Sequence, residues 1–226
     1  MPTISSAKAN HLFWLGRYAE RVFAQLHFLR QYYDLCLDEG KENALLEYCR
    51  KLDLGACAPD RDLFLLQHLF NSEPGTLRYC LNCLNDNSIV LREELTTASI
   101  AYVNLCVATL KHCDHDKDIN ITRLQPITDY ILSFWGSVLQ HVTNPSTLNI
   151  LFIGKHVEYI DMYFRFDYPF PRLQAEWTNL ENRLSQIEYV ADKHCRMELS
   201  DIFSNRTAYE EKSALLLQYL NSLILV

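Results

Sequence analysis

The stretch Phe13-Trp14-Leu15-Gly16-Arg17-Tyr18-Ala19-Glu20-Arg21 decides how this chain is read. Around it, Leu12, Leu15, Ala19, Val22, Leu26, Leu29 and Tyr33 step by three and four, the spacing of one face of an α-helix. Phe13, Gly16, Glu20, Phe23 and His27 form a second row with the same step. A helix that is apolar on two sides has neighbours on both. Glycine inside such a helix costs about 1 kcal/mol relative to alanine, so Gly16 points to close approach by another backbone or a ligand. Glu20 lies one turn further on, in buried surroundings. Desolvating an unpaired carboxylate costs several kcal/mol, so Glu20 needs a cation. Arg17, Arg21, Arg92 and Lys155 are the candidates.

A weaker copy of the stretch returns as Leu151-Phe152-Ile153-Gly154-Lys155-His156-Val157-Glu158-Tyr159. The two segments align without a gap: apolar residues, glycine, a basic residue, a ring, a small or branched residue, then glutamate. This internal similarity predicts a single domain over residues 1–226 with two related halves, about 5–113 and 119–226.

The rest of the chain reads as helix. Ser5 or Ser6 caps the first helix, which runs to about Leu37 and ends at Asp38-Glu39-Gly40. A short helix covers Glu42 to Leu52, and Gly55-Ala56-Cys57-Ala58-Pro59 is a break. Asp60 caps a helix through Phe70, and Glu73-Pro74-Gly75 is a turn. Thr76 to Leu84 is helical, and Asn85-Asp86-Asn87-Ser88 reads as the cap of a long helix to about Cys113. Ile119 to Val142 is the next helix, with Pro126 in its first turn, where the missing N–H does no harm. Asn144 caps the repeated glycine helix, which runs to about Phe166. A long amphipathic helix follows from Leu173 to Arg196, and a last one starts near Arg206. The run from Leu215 to Val226 is too short and too interrupted to span a membrane and reads as a docking helix. No strand stands out. The fold class is all-α: a helical bundle with roughly seven to nine helices and no sheet.

Composition narrows the function. The 226 residues are 49% hydrophobic, enough for a substantial core. Net charge is −7 with no run of Lys and Arg, which argues against nucleic acid and against anionic membranes as partners. Met1 to Asn10 is polar and lacks the apolar core of a signal peptide. Eight cysteines without such a signal point to reduced thiols in a cytoplasm.

Two local patterns look like metal or redox sites and are read as neither. His112-Cys113-Asp114-His115-Asp116 is dense in ligand types, but they crowd one helix end and its loop, whereas zinc ligands come from separated elements. Cys80-Leu81-Asn82-Cys83 is a lone CxxC on one helix face, without the second pair of a zinc site. The chain has no Gly-rich phosphate loop, no Gly-x-Ser-x-Gly and no His-Glu-x-x-His. It offers no glutamate with a histidine three residues on, which a di-iron bundle needs. No metal or cofactor is expected. The best candidate cluster for catalysis is Glu20, Arg21, Arg92, Glu93 and Glu158, with His156 and Tyr18 nearby in register, converging around Gly16 and Gly154.

The opening Ser5-Ser6-Ala7-Lys8-Ala9-Asn10-His11-Leu12, followed by Trp14-Leu15-Gly16-Arg17-Tyr18 and Glu20-Arg21, resembles the alpha-E domain family, named for its helices and its Glu-Arg motif. A second match is Asp86-Asn87-Ser88 with Arg92-Glu93, Leu95-Thr96 and Asn104. A third is the Gly154 to Glu158 helix. The matches span residues 5 to about 165. Ile89 and Tyr159 stand where the family pattern has arginine, and Ala98 and Ile100 where it has Glu and Trp. The resemblance implies an all-helical protein encoded alongside ATP-grasp amide ligases and transglutaminase-like peptidases, in systems that make or modify peptides.

Three functional readings follow. The first is a helical accessory or substrate-presenting subunit working with an ATP-grasp-like ligase and a transglutaminase-like protein. The second is an enzyme of peptide or amide chemistry, with Glu20 as acid/base and Arg92 as an electrostatic clamp. The third is an interaction scaffold that forms a homodimer through the C-terminal helix.

Overall fold

The computed structural model describes residues 4–38, 43–55, 58, 60–116, 120–187 and 190–225. Glu39, Gly40, Glu42, Ala56, Cys57, Pro59, Ile119 and Val226 figured in the expected boundaries and lie outside the described residues. Among the described residues the chain is all-helical, without a β-strand; one isolated bridge joins Ala191 to Ile224. The helices are α1 (Ser6–Asp38), α2 (Ala44–Lys51), α3 (Arg61–Phe70), α4 (Leu77–Val90), α5 (Thr97–His115), α6 (Gln125–His141), α7 (Pro145–Arg165), α8 (Phe170–Leu184), α9 (Lys193–Ile202), α10 (Arg206–Lys212) and α11 (Leu216–Ser222). That is more than the seven to nine expected.

The additional helices arise where one helix was expected and two are found, at Leu173 to Arg196 (α8 and α9) and from Arg206 onward (α10 and α11), while one boundary moves without adding a helix. Asn85 to Ser88 is not a cap; α4 runs through it. Asn87 Nδ2 donates to the Cys83 carbonyl at 2.8 Å and Ser88 Oγ to the Asn85 carbonyl at 2.7 Å. Side chains that favour caps are here satisfied by their own helix. The chain breaks instead after Val90, and Thr96 caps α5 by accepting from the Ser99 N–H at 3.2 Å. The expected helix from Leu173 to Arg196 is two. It stops at Leu184, and Asp192 caps α9 by accepting from the Cys195 N–H at 2.8 Å. Ile187 and Val190 stay buried across the gap, so the apolar pattern continues although the helix does not.

Other boundaries fall where the side chains placed them. Asp60 accepts from the Leu63 N–H at 2.8 Å at the start of α3. Asn144 accepts from Ser146 and Thr147 at the start of α7. A 3-10 turn over Ile121–Leu124, capped by Asn120, leads into α6, with Pro126 in the first turn. α7 ends in a Schellman arrangement: Tyr168 N–H donates to the Tyr163 carbonyl and Asp167 N–H to the Phe164 carbonyl. Asp167 fills the left-handed position at φ 55°.

The chain divides into two compact units. One comprises residues 18–142. In it α5 packs along α6 and α4 along α5. Buried Val103, Cys106 and Leu110 face a core that includes Ile127, Ile131, Phe134 and Val138. The Ser99 and Ser137 hydroxyls hydrogen-bond at 2.8 Å across the α5–α6 contact. The other unit comprises residues 1–17 and 143–226. In it α7 packs along α8, and α11 lies on α9 and also touches α7. Leu216, Leu220 and Leu223 are fully buried, which is the docking expected of the C-terminal run.

The thiols depart from expectation at one position. Cys36, Cys80, Cys83, Cys106, Cys113 and Cys195 are in the thiol form, but Cys49 is disulfide-bonded. No helix of the described residues is long and apolar enough to cross a membrane.

Candidate functional site

The two glycine stretches meet backbone to backbone within the unit that holds residues 1–17 and 143–226. A Cβ added to Gly16 would lie 2.1 Å from the Leu151 carbonyl oxygen and 3.1 Å from the Lys155 nitrogen. A Cβ added to Gly154 would lie 2.1 Å from the Phe13 carbonyl oxygen and 3.1 Å from the Arg17 nitrogen. The contacts are reciprocal: Phe13 and Arg17 hold in one segment the positions that Leu151 and Lys155 hold in the other. α1 and α7 thus cross about a local pseudo-twofold axis between the two glycines. The pseudo-symmetry extends to the neighbouring cations. The Arg17 guanidinium sits 5.1 Å from the Trp14 ring centre, and Lys155 Nζ 5.7 Å from that of Phe152. Of the two causes open for Gly16, a backbone is the one found.

A buried charge network lies next to the crossing. Arg17 Nε donates to Glu158 Oε2 at 2.6 Å, and Arg17 Nη2 lies 3.6 Å from Asp161 Oδ2. Arg165 Nε donates to Asp161 Oδ1 at 2.6 Å. Glu158 has no exposed surface, and Arg17 and Asp161 are nearly as buried. The network holds two carboxylates and two guanidinium groups, so its formal charge is zero. Burying such charges is tolerated only when they are paired and hydrogen-bonded. The crossing makes that possible by bringing Arg17 to Glu158, and Asp161 follows because it lies one turn beyond Glu158 on α7.

The five candidate residues do not share one unit. Glu158 belongs to the network just described. Glu20, Arg21, Arg92 and Glu93 belong to the unit of residues 18–142. Glu20 is buried, as its place in the helix demanded. Arg92 and Glu93 are exposed, in the turn between α4 and α5. Tyr18 hydrogen-bonds Cys83, and burial pushes its phenol well above the ordinary value, with Cys83 and Tyr79 adding to the rise. His156 turns to α8, where Nδ1 meets Glu176 Oε1 at 2.6 Å. Arg17 was considered only as a partner for Glu20, and Asp161 and Glu176 carried no signal beyond their residue type.

Of three clefts formed by the described residues, none is lined by Glu20, Arg21, Arg92, Glu93 or Glu158. Among the described residues no group of three or more His, Cys, Asp or Glu is placed to hold a metal ion. The segment around His112 is the end of α5, where Asp114 pairs with Arg78 at 2.5 Å and Cys113 is buried.

An all-helical protein organised on a glycine crossing, with one Glu-Arg dipeptide at Glu20-Arg21, is the class these observations define. The chain belongs to the Alpha-E family, described as a predicted alpha-helical domain with a conserved ER motif; the family model matches residues 4–190. No curated protein and no solved structure matches it.

Proposed function

We infer that the protein is a helical accessory or substrate-presenting subunit of a peptide synthesis or modification system, working with an ATP-grasp amide ligase. The observation that carries this reading is the closed state of the Arg17–Glu158–Asp161–Arg165 network. A general acid or base must reach the proton it moves. Glu158 has no exposed surface and its carboxylate is held by Arg17. Arg92, cast as the clamp of an enzyme, is exposed in a turn and lines none of the three clefts. The charged residues nearest the glycine crossing therefore serve the fold, and the chemistry belongs to a partner. Family membership supplies the setting, through the ATP-grasp and transglutaminase-like proteins that the resemblance implies.

The test is co-expression with an ATP-grasp ligase from the same genome, followed by gel filtration and a ligase assay. The reading expects a stable complex and ATP turnover that rises when the chain is present. A chain that forms amide bonds alone, and loses that activity in Glu20→Gln with its stability unchanged, would establish the enzymatic alternative instead.

A further inference from the structure

The charged cleft between α7 and α8 is a different matter from the closed network. It encloses about 380 Å³. On its α7 side stand Asn149, Phe152 and His156, all largely buried. On its other side stand Asn179, Asn182 and Arg183 of α8, with Gln186 just past the helix end. The spacing of Asn179, Asn182 and Arg183, three and four residues, places them on one helix face.

Arg183 is pre-positioned and carries an unanswered charge. Its Nη1 donates to Asn149 Oδ1 at 2.8 Å, and its guanidinium sits 4.9 Å from the Phe152 ring centre. Both contacts hold the side chain without neutralising it. Among the described residues no carboxylate pairs with it. The acids on the same helix are committed elsewhere: Glu176 to His156 and Asn179, and Glu181 to Arg196 at 2.7 Å. Asn149 spends its oxygen on Arg183, so its Nδ2 is left to donate into the cleft. His156 uses Nδ1 on Glu176. An ionised carboxylate only accepts, so Nδ1 carries the hydrogen and Nε2 is left for the cleft.

We propose that this cleft binds a short peptide by its C-terminal carboxylate, with Arg183 and Asn149 Nδ2 holding the carboxylate and the carboxamides of Asn182 and Gln186 pairing with backbone amides. A planar guanidinium fork suits a carboxylate. The rest of the wall argues for a peptide over a bare anion. Asn182 and Gln186 each offer a donor and an acceptor, as a peptide group does, and one fixed guanidinium is little for a phosphate dianion. The volume lies at the small end of the range for ligand sites, which fits a few residues and no more. This assignment names the ligand class for the substrate-presenting reading. It rests on that reading only for its setting, because binding by the isolated chain requires no ligase.

The experiment is an NMR titration of the full chain with trialanine, with trialanine C-terminal amide and with inorganic phosphate, following the Arg Nε–H and side-chain carboxamide signals. Trialanine is expected to saturate with a Kd in the low millimolar range or tighter, and the amide to bind at least about tenfold more weakly. Arg183→Met keeps an apolar chain over Phe152 and is expected to weaken trialanine about tenfold or more. Asn182→Ala is exposed and cannot disturb the core, so it serves even if Arg183→Met fails to fold; a several-fold loss is expected. Equal binding of acid and amide, phosphate binding as well as trialanine, indifference to both substitutions, or no saturable shift by about 10 mM would each overturn the proposal. If trialanine binds but no ligase associates, the cleft stands and the subunit reading falls; the reverse result separates them the other way.

Discussion

Gly16 and Gly154 are each the reason the other is glycine: a methyl group on either would stand 2.1 Å from a carbonyl oxygen of the helix that carries the other. The obstacle is backbone on both sides, so no side chain can rotate away. Gly16→Ala and Gly154→Ala each gain about 1 kcal/mol of helix propensity. Both are nevertheless expected to destabilise the protein by about 2 kcal/mol or more, the scale of overpacking a core. Gly136 is the control. It lies exposed within α6, and a Cβ there meets nothing within 4 Å. Gly136→Ala is expected to stabilise by about 0.5–1 kcal/mol. Urea unfolding of the three variants reads both signs at once.

The buried network predicts an asymmetry. Arg17→Met removes the guanidinium bonded to Glu158 and one of two cations beside Asp161, whereas Glu158→Gln leaves Arg17 still beside Asp161. Arg17→Met is expected to cost about 3–5 kcal/mol. Glu158→Gln should cost clearly less, and the pair should show strong coupling in a double-mutant cycle. Equal and small effects would mean that the network contributes little.

His68 gives the fold a dependence on pH. It is buried, and its Nε2 lies 2.9 Å from the Tyr48 hydroxyl. Burial lowers its pKa from 6.5 to about 4. Between those values the unfolded chain holds a proton that the folded chain does not. Stability therefore rises with pH, is fully present above about 6.5, and falls by up to ~1.4 kcal/mol per pH unit towards pH 4. His68→Gln should flatten that part of the stability profile, measured by denaturant unfolding from pH 4 to pH 7.5.

The C-terminal segment lies beyond the family match yet is part of the core. Leu220 is almost fully buried where α11 lies on α9. Leu220→Ala is expected to cost about 2–4 kcal/mol, and Leu225→Ala, which is exposed, almost nothing. Thermal melts of the two variants provide the comparison.

Much of the helical order was legible because caps and prolines are local signals. Asp60 and Asn144 each satisfy the first N–H groups of the helix they precede. What misled was equally local. Asn87 and Ser88 look like a cap and instead bond within their own helix. Ile187 and Val190 continue the helical rhythm past the end of α8 at Leu184, because burial alone sets the rhythm. At the site, the energetic cost of a mid-helix glycine pointed to a close backbone or a ligand, and the backbone found there is that of the repeated stretch. The Arg17–Glu158 bond was not readable, because the register of two helices far apart in sequence is decided by their packing.

The account's central claim is that this chain serves a partner's chemistry. The most direct measurement is affinity purification of the tagged protein from its native cells, with mass spectrometry of what it retains. The claim predicts stoichiometric recovery of an ATP-grasp ligase, retained equally by Glu20→Gln. A self-sufficient protein that comes through alone, and forms amide bonds without any ligase, would contradict it.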